Sequence, residues 1–310
     1  MNNADQTRAR WTAVAGIPVL FLAIALLQAR IDRQKGMVAQ EEALLLQSPA
    51  AIKEISLGYE SLLADIYWTR AVQYYGERAG VEGAKFDLLW PLLNIATTLD
   101  PKLIVAYRFG VIFLSEPEPG GAERPDLAIE LVRRGIAANP DQWQLNADLG
   151  LLYYWRLKDY ANASEQYLEA SKKPEAPPWL AMMAGRIAQQ GGSLDTSSMI
   201  WSELYQSTQD PAIKDNALKM LRGIQAEKDE SQLNELAEEY RTRTGRYPAS
   251  TNELLQAGLL RGIPVDAAGY SYVFGADGKS ALNPQSTVSI PPEPNLPPTP
   301  DRPAYESVRR

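Results

Sequence analysis

The sequence predicts a mainly α-helical protein whose central part is a short array of helical hairpins. Small or apolar residues recur at positions 96, 135, 170 and 204, which are 39, 35 and 34 residues apart. Each of them lies a few residues before a proline, namely Pro101, Pro140, Pro174 and Pro211. A period in this range is typical of stacked supersecondary units, none of which can bury its apolar face alone.

The first element is an apolar stretch near the N-terminus. Residues 12–27 contain no charge, and with Trp11 and Gln28 the stretch is 18 residues long, the short end for a membrane-crossing helix. We therefore expect residues 1–36 to form an N-terminal tail and a transmembrane signal anchor, with residues 11–28 in the membrane. A buried core helix is disfavoured, because the stretch lies at the terminus between polar flanks.

A cleaved signal peptide is the main alternative to this anchor. Basic residues precede the apolar stretch, as they do in signal peptides, but Leu27 stands where a small residue is preferred before cleavage. Orientation has two opposing cues. Arg30, Arg33 and Lys35 follow the stretch and favour a cytoplasmic C-terminal side, whereas a short basic tail before a long soluble region favours the opposite. We expect a single-pass protein of the bacterial inner membrane with its soluble region in the periplasm.

The next segment, residues 37–57, predicts a linker helix. Residues 37–47 have an amphipathic pattern, and Ser48-Pro49 ends it.

The repeat array is expected over residues 58–231, and its clearest unit covers residues 146–174. The unit has an apolar–Gly pair, an aromatic, an Ala–x3–aromatic step, a small residue and a proline, at Leu149, Gly150, Tyr153, Ala163, Tyr167, Ala170 and Pro174. This order resembles the tetratricopeptide repeat, a helix-turn-helix unit of about 34 residues. The resemblance implies an α-solenoid, in which the small residues let the two helices of a unit approach closely.

The other units follow the pattern less closely. The preceding unit matches at Phe109, Gly110, Phe113, Ala128, Val132, Gly135 and Pro140, and its turn, 116–121, holds an insertion. In the first unit Pro91 should start the second helix late or kink it. The fourth unit is degenerate, with Trp179, Gly185, Trp201, Leu204 and Pro211 roughly in place. We therefore expect about four hairpins, two of them well defined.

Two different segments follow the array. Helices are predicted over 213–221 and 232–243, and the Gly245-Arg246-Tyr247-Pro248 sequence then leads into short strands up to Leu282. Residues 232–282 are similar to the C-terminal part of type II secretion pseudopilins, which implies a small α+β module of a helix and a β-hairpin. Residues 283–310 hold many prolines and predict an extended tail, either disordered or packed as a strap on another module.

The composition argues for binding and against catalysis. The chain has 0 His and 0 Cys, so it lacks the usual neutral-pH base, a thiol nucleophile and zinc ligands of these types. No phosphate-binding or dinucleotide-binding glycine motif is found. We expect no catalytic residue, no metal and no cofactor, and therefore no enzyme. A net charge of −7 argues against nucleic acid as a partner.

The repeat register places a set of aromatic and aliphatic residues on the inner face of the array. The predicted partner-binding residues are Trp68, Tyr75, Tyr107, Val111, Leu151, Tyr154, Trp155, Trp179, Met182 and Arg186. Such a groove accepts an apolar peptide or helix, although the same residues can instead pack between units. We expect a membrane-anchored scaffold or adaptor that binds protein subunits of an envelope complex, such as a secretion or pilus-like complex. The alternative is a protein or enzyme that binds a glycan or another polymer through the aromatic groove, with Asp65 and Asp148 as the available carboxylates.

Overall fold

A computed structural model of the protein describes residues 49–290. The expected membrane anchor, most of the linker and the tail from residue 291 lie outside the described residues. Within 49–290, none of the helices combines the length and the apolar character needed to cross a membrane. The described chain divides into two compact units, 49–106 with Pro117–Ala122, and Tyr107–Glu116 with 123–290.

The first unit is a helical hairpin preceded by a short helix. Its helices are α1 (Pro49–Ile55), α2 (Glu60–Gly76) and α3 (Leu89–Leu99), and both α1 and α2 pack on α3. Their shared core is formed by Ile52, Ala64, Ile95 and Leu99. Helix α3 begins only at Leu89, so Pro91 falls in its first turn, where a missing N–H costs nothing. The late start predicted from Pro91 is confirmed.

The second unit continues the hairpin pattern. It contains most of α4 (Ile104–Ser115), from Tyr107 onward, and all of five further helices. These are α5 (Pro125–Ala138), α6 (Trp143–Leu152), α7 (Tyr160–Ser171), α8 (Trp179–Gln190) and α9 (Leu194–Ser207). From α5 onward, each helix packs on the next one along the chain. The mainly helical fold and the tetratricopeptide-like hairpins predicted from the sequence are therefore present.

Glycines lie where the two helices of a hairpin meet. A Cβ atom added to Gly150 would lie 2.9 Å from Cδ2 of Tyr167 and 3.4 Å from the carbonyl oxygen of Ala163. The fourth hairpin repeats this contact, because a Cβ on Gly185 would lie 2.6 Å from Nε1 of Trp201. The hairpin that the sequence pattern marks as degenerate thus has the same packing.

The third hairpin contains a π-helical turn, Tyr153–Leu157, directly after α6. In the third hairpin, the small residue facing Gly150 is Ala163, 13 positions later. In the fourth hairpin, the corresponding residue is Ser197, 12 positions after Gly185. The Ser197 hydroxyl donates a hydrogen bond to the carbonyl oxygen of Gly185 at 2.7 Å. A π turn accommodates one extra residue within a helix. It therefore accounts for the longer spacing in this hairpin.

The helices expected over 213–221 and 232–243 are one continuous helix, α10 (Pro211–Thr244). The carboxylate of Asp210 caps its N-terminus by accepting from the backbone of Ala212, and Gly245 ends it with a φ of +80°. Its first half packs on Trp201 of α9, and its second half packs on the C-terminal segment. Both predicted helical segments are present, and the residues between them are helical as well.

The C-terminal segment is a small module built on α10. It contains α11 (Thr251–Gln256) and an antiparallel pair of two-residue strands, β1 (Val273–Phe274) and β2 (Ser280–Ala281). The Tyr247 ring covers Gly278, whose φ is +80°, and the Tyr247 hydroxyl donates to Glu238 on α10 at 2.7 Å. These contacts explain the Gly-Arg-Tyr-Pro sequence as a link between α10 and the hairpin.

Replacing Gly150 with leucine should destabilise the second unit. The side chain would overlap the Tyr167 ring, so the free energy of unfolding should fall by roughly 1–3 kcal/mol or more. Gly76→Leu is the matched control, because Gly76 is also helical and has nothing within 4 Å of an added Cβ. Chemical denaturation measures both variants. Equal stability of the two would contradict the packing described.

Candidate functional site

The predicted groove residues of the first unit are Trp68 and Tyr75, both half-buried on α2. The Tyr75 ring lies 6.0 Å from the ring of Phe86, measured between centroids. Its hydroxyl donates to the carbonyl oxygen of Gly120 at 2.8 Å. Tyr75 is therefore tied to other parts of its own unit.

Two predicted groove residues of the second unit belong to the core. Tyr107 is 1% exposed and Val111 is 4% exposed. The Tyr107 ring lies directly over Gly135, where a Cβ would approach it to 2.8 Å. The prediction that Tyr107 and Val111 lie on an open binding face is therefore wrong. Because Gly135 has no side chain, the Tyr107 ring packs against it and is buried.

An exposed apolar surface remains at the end of α6 and in the π turn. Leu151 and Trp155 are 50% and 53% exposed, and they are one helical turn apart. Tyr154 is half-buried, and its ring and that of Tyr160 form an edge-type contact at a centroid distance of 5.9 Å. The ammonium group of Lys158 lies 5.1 Å from the centroid of the Trp155 ring. We call Leu151, Tyr154, Trp155 and Lys158 the Trp155 patch.

The backbone of the Trp155 patch is unusual. Trp155 lies within the π turn. Lys158 is the first residue after the turn, and it has a φ of +52° although it is not glycine. Single π turns occur frequently at functional sites, and left-handed non-glycine residues are uncommon. The hairpin therefore departs from regular geometry at the residues that display Trp155.

Three further predicted residues lie on α8. Trp179 is 42% exposed, and its ring makes edge contacts with Trp143 and Tyr167, both at 6.2 Å between centroids. Met182 is half-buried against the Trp201 core, and its sulfur accepts a hydrogen bond from Asn216 at 3.5 Å. Arg186 is exposed. Trp179 and Arg186 thus present surface to solvent, whereas Met182 is partly structural.

Charged residues beside the Trp155 patch are paired. Arg156 forms an ion pair with Glu116, and Arg108 donates to Asp148 at 2.8 Å. Burial raises the pKa of the Asp148 carboxyl, although the Arg108 guanidinium acts against this rise. Burial and the nearby Asp148 together raise the pKa of Tyr167 to about 12. Asp148 is therefore part of the packing between α4, α6 and α7.

The patch can bind through its apolar area and through the cation of Lys158. Within residues 49–290 no group of three acidic residues is arranged to hold a metal ion. The sequence analysis missed Lys158 and the π turn. The signal for the π turn was present, because the spacing from Gly150 to Ala163 exceeds that of the fourth hairpin by one residue.

Comparison with known proteins yields a weak structural likeness and no family. No family model matches the chain, and no curated protein matches it. A solved structure described as "Functional Characterization of Pseudomonas Aeruginosa pilF" has a TM-score of 0.33 and 18% identity, over 55% of this chain and 71% of that chain. A likeness this low carries no argument about the site, so the hairpin assignment depends on the helix order and packing above. No family model matches residues 232–282, so the similarity of this segment to pseudopilins is not supported by a family match.

Removing the partner of Asp148 should make stability more dependent on pH. Arg108→Met leaves a half-buried carboxylate without its cation, which should cost on the order of 1 kcal/mol at pH 7. The folded-state pKa of Asp148 is already raised and should rise further. A raised pKa means that stability is fully present below the unfolded-state value and is lost as pH rises through the folded-state value.

The measurement is thermal unfolding of Arg108→Met between pH 4 and pH 7, with Arg108→Met/Asp148→Asn as the control. The single variant should lose more stability than the double variant as pH rises. Parallel pH profiles of the two variants would show that the Asp148 carboxylate does not destabilise the fold when Arg108 is absent.

Proposed function

We propose that this protein is a membrane-anchored tetratricopeptide-like adaptor that binds a protein partner through the Trp155 patch. In this proposal residues 11–28 span the bacterial inner membrane once, and the repeats lie in the periplasm. The partner is a subunit of a membrane or envelope complex, such as a secretion or pilus-like complex. The protein acts by binding and not as an enzyme.

The exposure of Trp155 is the observation that carries the proposal. Tryptophan and tyrosine side chains contribute most to binding energy when they become fully buried at an interface. Trp155 lies on a helical backbone, and its neighbour Tyr154 packs on Tyr160, so ordering the patch on binding costs little entropy. Such a patch fits an apolar peptide segment or the apolar face of a helix.

The exposed ring also supports a second candidate, a glycan ligand stacked on Trp155. Glycan binding generally needs polar groups beside the stacking ring. Asp65 and Asp148 were the carboxylates expected to supply them, and Asp148 is the one in the hairpin of Trp155. Asp148 is instead paired with Arg108 at 2.8 Å. The protein ligand is therefore the better supported of the two.

Tyr154→Ala with Trp155→Ala should abolish capture of the partner while the fold persists. Trp155 is half exposed, so its loss removes little core packing, and the Tyr154 contact with Tyr160 is peripheral. The measurement is the yield of co-purifying membrane-complex subunits from mild detergent, compared with the thermal unfolding of the same variant. Met199→Ala is the matched control, since Met199 is 58% exposed on α9 and outside the patch.

The opposite pattern would reject the patch as the binding site. In that case the melting temperature of the double variant collapses, while the protein that remains folded still captures the partner. Loss of partner capture by the unmodified protein on addition of a glycan would favour the second candidate.

The anchor predicts that the protein stays in the membrane fraction after washing with high salt and with alkaline carbonate. An uncharged apolar span is held by hydrophobic burial, which salt does not screen, whereas a surface attachment through charges is released. Immunoblotting of washed membranes measures the retained fraction. Recovery of a soluble protein whose N-terminus lies near Arg30 would show that the segment is a cleaved signal peptide.

A further inference from the structure

The sequence that follows residue 290 has prolines in a regular pattern. Proline stands at every third position from 291 to 303, that is, at 291, 294, 297, 300 and 303. A polyproline II helix has three residues per turn, so these prolines would form one continuous edge of such a helix. At about 3.1 Å per residue, residues 291–303 would extend about 40 Å. We call the prolines at these five positions the proline ridge.

The chain approaches the proline ridge in a defined direction. The backbone N–H of Ser280 in β2 donates to the side chain of Asn234 at 2.7 Å, and the Ser280 hydroxyl donates to the carbonyl oxygen of Glu230 at 3.0 Å. Two residues later, the backbone N–H of Leu282 donates to the Glu230 carboxylate. From β2 onward the chain therefore runs along α10 towards its N-terminal half, where the hairpins lie.

The last described residues reach the junction of α10 with α8. Val288 and Ile290 pack against the core cluster that contains Ala226 of α10. The next residue of α10, Glu227, accepts a hydrogen bond from Gln189 at the C-terminal end of α8 at 2.7 Å. Together with the direction of the chain, these contacts place the start of the proline ridge near this end of α8.

The Trp155 patch adjoins the same end of α8. A Cβ atom on Gly191, directly after α8, would lie 2.7 Å from Cβ of Tyr160, and the Tyr160 ring contacts that of Tyr154. The route from α10 to α8 and on to the start of α7 crosses two helix-to-helix distances, about 20 Å in total. The proline ridge would be about twice that length, so it is long enough to reach the patch.

We propose that residues 291–303 dock as a polyproline II helix on the Trp155 patch of the same chain and compete there with the protein partner. Proline-rich segments bind surfaces lined by aromatic rings, and the stiffness of this helix keeps the entropy cost of binding low. The exposed ring of Trp155 and the paired rings of Tyr154 and Tyr160 form such a surface. The docking requires only the patch, whereas the competition rests on the proposed function.

Charge favours the same placement. Residues 291–301 contain two acidic residues, Glu293 and Asp301, and no basic residue. On the repeats, Lys158 lies beside the Trp155 ring and Arg186 is exposed on α8, so both cations are accessible to a carboxylate. An acidic segment that passes the C-terminal end of α8 is attracted by both. The connection to residue 290 also gives the segment a high effective concentration at the patch.

The test uses the natural absence of cysteine in the full chain. Ala161→Cys, at an exposed position next to Tyr160, is combined with Thr299→Cys, which lies outside the proline ridge. The double variant is treated with a short thiol-to-thiol cross-linker in mild detergent. The expected product is an intramolecular cross-link at monomer size, identified by mass spectrometry. Adding Trp155→Ala should lower its yield several-fold.

Two pairs of proline substitutions provide matched controls. Pro294→Ala with Pro300→Ala removes two members of the proline ridge and should lower the cross-link yield several-fold. Pro292→Ala with Pro298→Ala removes two prolines outside the ridge and should leave the yield unchanged. Absence of the cross-link, or equal loss in both pairs, would overturn the docking. Cross-linked dimers would overturn it in favour of a segment from a second copy.

The competition is measured on the same proline variants without the added cysteines. Pro294→Ala with Pro300→Ala should co-purify with several-fold more of the membrane-complex subunits than the unmodified chain, and the control pair should match the unmodified chain. Equal capture by all three would overturn the competition. If none of them captures a subunit, the proposed function fails, and the cross-linking result still decides the docking.

Discussion

The close approach of paired helices is the constraint on which the hairpins depend. At Gly135, Gly150 and Gly185 the absence of a side chain leaves room for one large ring, from Tyr107, Tyr167 and Trp201 respectively. Any Cβ at these positions would come within 3.0 Å of the ring that fills the space. Each glycine–ring contact therefore fixes both the distance between two helices and the residue that becomes core.

The sequence predicts this close approach correctly where the contacting residues are near one another in the chain. Gly150, Ala163 and Tyr167 meet as the repeat pattern predicts, since all three lie in one hairpin with a short turn. The pattern failed in the preceding hairpin. It favoured Phe109 as a packing residue and Tyr107 as a surface residue, yet Phe109 is 49% exposed and Tyr107 is buried over Gly135. The order of residue types does not state which of two nearby rings fills the space on the opposite helix.

Tertiary contacts explain the other feature that sequence reasoning missed, the continuity of α10. The sequence analysis predicted helices over 213–221 and 232–243 and none for the residues between them, which include the charged run 227–230. In the structure these residues have partners from both sides: Lys228 contacts Asp195 at 2.6 Å, and the Tyr272 hydroxyl donates to Asp229 at 2.7 Å. Gln189 also donates to Glu227 at 2.7 Å. Since these partners come from distant parts of the chain, no local pattern could reveal them.

The same constraint explains why the candidate binding surface lies where it does. The Gly150–Tyr167 contact fixes α6 and α7 on either side of the π turn, so an extra residue can be accommodated between them without separating the helices. Trp155 lies in this π turn and is half exposed. Packing explains why a large ring is needed opposite each glycine. It does not explain why Leu151 and Trp155 are apolar, because both side chains are half exposed. The packing of the hairpin therefore does not account for their exposure, and the proposed partner-binding role of the Trp155 patch would.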